Sequence, residues 1–317
     1  MENTHPNIAS LSSKTLVAID IGSNSFHLMA VKADQQPFRT LVRLGEKVQL
    51  AAGMIDGELS SQSIARGLLC LQRFKHCIDE LADQCVLRVV ATHALRLASN
   101  RQAFIEPVEQ LLGCPVEVIG GLEEARLVYL GVAHSEPCSE PRLVIDVGGG
   151  STELIVGRHF EAQVLSSLQL GCVSYLQFFA NGEISPGHFQ RAYDQACGEL
   201  AGVLSRYRGQ WQHCVGCSGI LLAVEQVLIK AGLSQGGIER AALHQLKALL
   251  FEFDTIEAVR FHGLIESRRQ IFASGLVITI ALFDALQIER MQLSNAALRD
   301  GVLYELINVD GGHEQIF

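Results

Sequence analysis

Residues 16–28 read LVAIDIGSNSFHL, residues 143–156 read LVIDVGGGSTELIV, and the two stretches share one pattern. Each has an apolar run, one aspartate, a turn of glycine or serine, and a second apolar run. This pattern predicts two β-hairpins. A glycine-rich tip leaves backbone N–H groups open to an anion such as a phosphate. The offset of 126 residues between Asp20 and Asp146 predicts one α/β fold built twice, with one copy per domain.

Length, composition and charge narrow the class of protein. The chain has 317 residues, of which 48% are apolar, so two domains with a substantial core are expected. The net charge of −9 argues against a general nucleic-acid binder, which is normally basic. Residues 1–14 lack an apolar signal core, and the apolar run around 276–282 is far shorter than the ~20 residues of a membrane span. We therefore expect a cytoplasmic protein that binds neither nucleic acid nor membranes.

The cysteines predict reduced thiols rather than a disulfide framework. Their number, nine, is odd, and most lie in apolar runs. Cys214 and Cys217 form the one close pair, and no second pair completes a zinc site.

The element order supports the duplicated α/β interpretation. In the first half we predict strands at 15–21, 25–33, 38–50, 86–91 and 116–119, and helices at 60–84, 102–112 and 122–134. Pro107 is expected to shorten or kink its helix. In the second half we predict a hairpin at 142–157 and strands at 160–168, 212–216 and 289–293, with helices in most of the rest.

The two hairpin tips carry the candidate phosphate and metal ligands. The predicted phosphate-binding residues of the tips are Ser23, Asn24, Ser25, Gly148, Gly149, Gly150 and Ser151. Asp146 and Glu153 should face each other across the second tip, and Asp20 lies beside the first. Such hard oxygen donors suit Mg²⁺, which keeps waters and takes phosphate oxygens. The alternative is two ordinary solvated turns, since glycine, serine and asparagine are common turn residues.

Two further segments offer acid–base and anion-binding groups. Glu123 and Glu124 open a predicted helix, where either carboxylate is a candidate general base and both are also favoured by the helix dipole. The spacing does not choose between them. Arg96 follows a strand end and is either a phosphate-gripping fork or a surface arginine.

The third strand–helix junction adds a weaker anion site. Ser218 lies between a predicted strand and a helix, so it either presents an anion-binding helix N-terminus or simply caps the helix. The pair Arg268 and Arg269 is either solvated or part of an anion path.

Six motifs together resemble the exopolyphosphatase / guanosine pentaphosphate phosphohydrolase (Ppx/GppA) family. They lie at residues 20–25, 92–96, 123–127, 146–153, 171–174 and 298–302. They follow the order of the family, and the resemblance covers about residues 15–307.

This resemblance implies an actin-like, ribonuclease H-like duplicated fold of two domains with an active cleft. We expect domain I at 1–122, completed by a C-terminal helix at 303–317, and domain II at 123–302. The resemblance also implies that Glu124 is the catalytic base, that Arg96 contacts phosphate, and that Asp146 and Glu153 hold Mg²⁺, with Mn²⁺ as the alternative ion.

The predicted activity is release of orthophosphate from the terminal phosphoanhydride of inorganic polyphosphate. One alternative is hydrolysis of guanosine pentaphosphate to the tetraphosphate. Others are a non-catalytic sensor of these guanosine nucleotides and an actin-fold kinase, which would need ATP and an acceptor. A homodimer is the expected assembly.

Overall fold

The first sheet is built around the first predicted hairpin. In the computed structural model, which describes residues 14–34, 38–81 and 84–310, this sheet has five strands in the order β3-β2-β1-β6-β7. They are β1 (Thr15–Ile21), β2 (Ser25–Lys32), β3 (Arg39–Lys47), β6 (Cys85–Ala91) and β7 (Val116–Val118). The short strands β4 (Met54–Ile55) and β5 (Glu58–Leu59) form a separate ribbon. β1 is antiparallel to β2 and parallel to β6, which is parallel to β7.

Three helices lie between the strands of this first half, and a fourth follows the last strand. They are α1 (Ser61–Asp79), α2 (His93–Leu97), α3 (Gln102–Leu112) and α4 (Gly121–Ser135). The Ser60 hydroxyl caps α1 by accepting from the N–H of Ser63. The apolar face of α1 is buried in the core at Leu71 and Phe74. Pro107 lies inside α3, so the expectation that it shortens this helix is wrong.

The second sheet repeats the strand order of the first. Its strands are β8 (Arg142–Val147), β9 (Thr152–Arg158), β10 (Glu161–Leu168), β11 (His213–Gly216), β12 (Ile238–Glu239) and β13 (Arg290–Leu293). The order β10-β9-β8-β11-β13 matches the first sheet, and β12 adds an antiparallel edge strand. β8 pairs antiparallel with β9 and parallel with β11, as β1 does with β2 and β6. The duplicated actin-like fold is therefore confirmed.

One helix dominates the core of the second half. Its helices are α5 (Pro186–Ala201), α6 (Leu204–Tyr207), α7 (Gly219–Lys230), α8 (Arg240–Leu250) and α9 (Glu266–Leu286). Within the described ranges, α9 is the helix whose length and hydropathy would suit a membrane span. Of its apolar window, 78% is buried inside the fold, where α9 packs against α5, α7 and α8. The same composition is therefore what a core helix needs. The nine cysteines form no disulfide.

The last helix returns to the first half. α10 (Leu298–Asp310) packs on α4 so closely that a Cβ at Gly301 would lie 1.8 Å from the carbonyl oxygen of Leu127. Glu305 of α10 also forms ion pairs with Arg88 of β6 and Arg126 of α4.

The chain accordingly divides into a first unit, the described residues up to Ser135 together with α10, and a second unit, Glu136–Ala297. The predicted domain boundaries at 122 and 302 differ from this division, because packing between α4 and α10 keeps both helices in the first unit. Residues 311–317 of the predicted C-terminal helix lie outside the described residues.

Candidate active site

The two hairpin tips have the same construction. Asp20 lies opposite His27 across β1 and β2, and Asp146 lies opposite Glu153 across β8 and β9. In each turn a glycine approaches a carbonyl oxygen three residues later. In the first turn, a Cβ added at Gly22 would lie 2.8 Å from the Ser25 carbonyl oxygen. In the second turn, a Cβ added at Gly148 would lie 3.0 Å from the Ser151 carbonyl oxygen. Any larger residue would open these turns, which explains the glycine in both copies.

The first tip contains buried polar atoms without a partner. Ser23 is 4% exposed and Asn24 is 6% exposed. Ser23 Oγ and Asn24 Oδ1 have no hydrogen-bond partner among the described residues. Because an unsatisfied buried polar group is unfavourable, these atoms are suited to contact a polar ligand. Ser25 is more exposed, and its Oγ lies 3.4 Å from Asn24 Nδ2.

The second tip offers two carboxylates. Glu153 is 1% exposed, and its Oε1 accepts a hydrogen bond of 2.8 Å from Ser167 Oγ. Asp146 is its cross-strand partner. Within the described part of the chain, no cluster of three or more His, Cys, Asp or Glu residues could hold a metal. The pair nevertheless fits Mg²⁺, which commonly uses one or two carboxylates and completes its shell with water and phosphate oxygens.

Each tip is held by a short backbone segment that follows the third strand of its sheet. We call residues 48–51 the first clamp and residues 171–174 the second clamp. In the first clamp, the Val48 N–H donates to the Asn24 carbonyl at 3.0 Å and the Ala51 N–H to the Ser23 carbonyl at 3.0 Å.

The second clamp binds its tip in the same manner. The Cys172 N–H donates to the Gly148 carbonyl at 3.0 Å, and the Val173 N–H donates to the Gly149 carbonyl at 2.8 Å. A Cβ at Gly171 would lie 2.3 Å from the Gly149 carbonyl oxygen, so this contact requires glycine. Both tips are thus fixed in position by backbone hydrogen bonds.

Arg96 and Glu124 form an ion pair in the first unit. Arg96 Nη1 lies 2.6 Å from Glu124 Oε2 and also donates to the Ile119 carbonyl at 3.1 Å. Arg96 belongs to α2, which follows β6, and Glu124 lies in the first turn of α4, which follows β7. Because β1, β6 and β7 are parallel neighbours, the first tip and this pair follow the same edge of one sheet.

The structure distinguishes the two adjacent glutamates that sequence spacing could not separate. Glu124 is buried at 9% exposure, and burial raises its pKa above the ordinary glutamate value, while Arg96 opposes the rise. Glu123 forms a bidentate pair with Arg126, which holds the pKa of Glu123 below its usual range. A raised pKa suits a general base near neutral pH, and a lowered one does not.

The second unit places Ser218 and Arg268 beside the same strand ends as its tip. Ser218 Oγ accepts from the Leu221 N–H at 3.2 Å and caps α7, as one of the two sequence interpretations expected. Arg268 lies against Gly219, where an added Cβ would fall 2.4 Å from Nη2. Burial lowers the pKa of Arg268, and within the described ranges no carboxylate pairs with it. A largely desolvated guanidinium of this kind is suited to bind an anion.

The sequence pattern identifies most of these residues, but it does not identify Arg66. It marks Arg268 only as half of an arginine pair, because desolvation of a side chain is not visible in sequence. Arg66 donates to backbone carbonyls of the first clamp, and a side chain that binds backbone leaves no motif.

Comparison with known proteins agrees with the fold. The profile of the Ppx/GppA phosphatase family matches residues 28–309. An exopolyphosphatase from Cytophaga hutchinsonii is similar in structure, with a TM-score of 0.82 and 24% identity over 92% of this chain and 97% of the other. The PPX-GPPA enzyme of Aquifex aeolicus is similar with a TM-score of 0.75 and 25% identity, over 92% and 99% of the two chains.

Proposed function

Since this chain belongs to the Ppx/GppA phosphatase family, we propose that it hydrolyses the terminal phosphoanhydride of inorganic polyphosphate in a Mg²⁺-dependent reaction. The observation that carries this proposal is the buried Glu124, whose pKa is raised and which is paired with Arg96. The structurally similar Cytophaga hutchinsonii protein is named an exopolyphosphatase, which supports the substrate class.

Glu124 is the proposed general base. Its carboxylate accepts a proton from the attacking water as the water oxygen bonds to the terminal phosphorus. The bridging P–O bond breaks, orthophosphate leaves, and the shortened chain retains the bridging oxygen. A carboxylate whose pKa is raised by burial accepts this proton more readily than an exposed one.

Arg96 and the first tip orient the phosphoryl group. Arg96 carries a positive charge beside the base, where it can donate to a phosphoryl oxygen. The buried Ser23 hydroxyl has no partner and can donate to a phosphoryl oxygen, and the Asn24 side-chain NH₂ group, which lies 3.4 Å from Ser25 Oγ, is a second donor beside it. Such preorganised donors stabilise the charge that spreads over the phosphoryl oxygens in the transition state.

Asp146 and Glu153 are the proposed Mg²⁺ ligands, with Asp20 as a further carboxylate beside the first tip. Bound Mg²⁺ supplies charge neutralisation on the phosphoryl oxygens. The Gly148 N–H donates to the Ser151 carbonyl at 2.8 Å and so shapes the turn, while Gly149, Gly150 and Ser151 are proposed to offer backbone N–H groups and a hydroxyl to phosphate oxygens. Ser218 and Arg268 are proposed to bind phosphates that are not cleaved, because Arg268 has no carboxylate partner within the described ranges.

The second candidate substrate is guanosine pentaphosphate, because the same residues would cleave its terminal phosphoanhydride. The Aquifex aeolicus relative is named a PPX-GPPA enzyme, which favours keeping this candidate. Purified protein is assayed for phosphate release from polyphosphate of defined length and from guanosine pentaphosphate, with and without Mg²⁺.

Matched variants decide whether the proposed base acts. We expect Glu124→Gln to lose about 10²-fold or more in rate, while the adjacent Glu123→Gln retains most of its activity. Near-normal turnover by Glu124→Gln contradicts the base assignment. Tight guanosine nucleotide binding without phosphate release would instead support the sensor alternative.

A further inference from the structure

An arginine outside the predicted site supports the first clamp. Arg66 on α1 donates from Nε to the Val48 carbonyl at 3.0 Å and from Nη2 to the Gln49 carbonyl at 3.1 Å. Nη2 also donates to Ser63 Oγ at 2.9 Å, which fixes the direction of the guanidinium. One planar guanidinium thus binds two consecutive carbonyls of the clamp.

The clamp has a backbone conformation that needs such support. Gln49 has a φ of 56°, in the left-handed region that residues with a Cβ disfavour. In this conformation the Gln49 N–H donates to the Asn24 carbonyl at 2.8 Å, beside the bond from Val48. The carbonyls of residues 48 and 49 face Arg66, and their amides face the tip. Arg66 therefore binds the same two residues, Val48 and Gln49, whose N–H groups bind the tip.

The second unit supports its clamp in a comparable way. Ser274 of α9 donates from Oγ to the Cys172 carbonyl at 2.5 Å, and the Cys172 N–H binds the Gly148 carbonyl. In both copies, a side chain on a helix donates to the carbonyl of a clamp residue, and the N–H of that same clamp residue donates to a carbonyl of the tip. The repeat indicates that the support is a feature of the duplicated fold rather than an accident of one loop.

We propose that Arg66 is a positioning residue that holds Ser23 and Asn24 in place for substrate phosphate. This inference rests on the proposed function, because it assigns a consequence for substrate binding. Ser23 and Asn24 have buried side-chain atoms without partners, their backbone carbonyls are bound by the first clamp, and Arg66 in turn binds that clamp. Arg66 does not touch the ion pair of Arg96 and Glu124, so it acts on binding rather than on proton transfer.

The test measures KM, kcat and the pH–rate profile for polyphosphate in Arg66→Ala, Arg66→Lys and wild type, well below each melting temperature. We expect Arg66→Ala to raise KM by about tenfold, the equivalent of one weakened charge-assisted contact. The acid limb of the profile should stay in place, because Glu124 is unchanged. A lysine can reach one of the two carbonyls but lacks the guanidinium fork that binds both. The KM of Arg66→Lys should therefore lie between those of the wild type and Arg66→Ala.

Arg73→Ala is the matched control. Arg73 lies on the same helix, two turns later, and pairs with Glu46 rather than with the clamp. The KM of Arg73→Ala for polyphosphate should equal that of the wild type. Hydrogen exchange of peptides covering residues 22–25 and 48–51 gives a readout independent of activity, and should be faster in Arg66→Ala alone.

Three results would overturn the inference: a wild-type KM in Arg66→Ala, an equal rise in Arg73→Ala, or unchanged exchange in Arg66→Ala. A purely structural role would lower the melting temperature and leave KM unchanged. If the wild-type protein releases no phosphate from either substrate, the proposed function fails, and exchange alone then decides whether Arg66 holds the tip.

Discussion

Arg96 and Glu124 are joined by a hydrogen bond of 2.6 Å between Nη1 and Oε2, although 28 residues separate them in the chain. Each lies in a helix that follows one of two adjacent parallel strands, β6 and β7. Burial raises the pKa of Glu124, and the positive charge of Arg96 is the main opposing influence. The pair therefore sets the pH at which the proposed base becomes available.

Removal of the Arg96 charge should move the acid limb of the pH–rate profile to higher pH. A general base works as the carboxylate, so activity is lost as pH falls through the pKa of Glu124. In Arg96→Gln the opposing charge is gone and the pKa of Glu124 rises further, so activity should be lost at a higher pH. The profile of kcat/KM against pH measures this.

The matched control for this prediction is Arg126→Gln, because Arg126 pairs with Glu123 and Glu305 rather than with Glu124. Its acid limb should coincide with that of the wild type. An Arg96→Gln profile that is lower at every pH but unmoved along the pH axis would show that Arg96 contacts substrate without tuning the base.

Glu124→Gln should become relatively more stable as pH rises. Burial raises the pKa of Glu124 in the folded state, so the folded protein binds this proton more tightly than the unfolded chain does. The contribution of Glu124 to stability is then present below the ordinary glutamate pKa and is lost as pH rises through the raised value. Glutamine has no such proton. Urea unfolding at a series of pH values should show the free-energy difference shifting in favour of the variant, and a constant difference would contradict the raised pKa.

The sequence predicted the hairpins well because their pattern is local. The bounds of β1, β2, β8 and β9 agree with the predicted strands within a residue or so, since apolar runs and glycine turns specify them directly. Packing between residues far apart in the chain is not predicted by local sequence patterns. Glu123 and Glu124 have the same local sequence environment, and only the side chains that face them, Arg126 and Arg96, distinguish them.

The domain boundary shows the same limit. α4 follows the first half and precedes the second in sequence, so nothing local assigns it to either. Its assignment depends on a contact between Leu127 and Gly301, which lie far apart in the chain.

The carboxylates of the second tip should govern the requirement for Mg²⁺. Asp146→Asn and Glu153→Gln each remove one anionic oxygen from the cross-strand pair. We expect each variant to need at least about tenfold more Mg²⁺ for half-maximal activity. Glu161→Gln is the control, because Glu161 is exposed on β10. The Mg²⁺-dependent rise in melting temperature checks the same ligands without activity, and a rise equal to the wild type in both variants would contradict the assignment.

Gly301→Ala should destabilise the protein, whereas the same substitution at Gly198 should not. Both glycines lie in helices, where alanine is intrinsically favoured by about 1 kcal/mol. At Gly301 the added Cβ would lie 1.8 Å from the Leu127 carbonyl oxygen, and that backbone can yield only if α10 moves away from α4. Overpacking of this kind costs about 1–3 kcal/mol, which exceeds the helix-propensity gain at the upper end. At Gly198 no atom lies within 4 Å of the added Cβ, so the propensity gain remains.

Thermal unfolding should therefore show a lower midpoint for Gly301→Ala and an equal or higher one for Gly198→Ala. Equal midpoints for both variants would mean that α4 and α10 are not held in the close contact that places them in one unit.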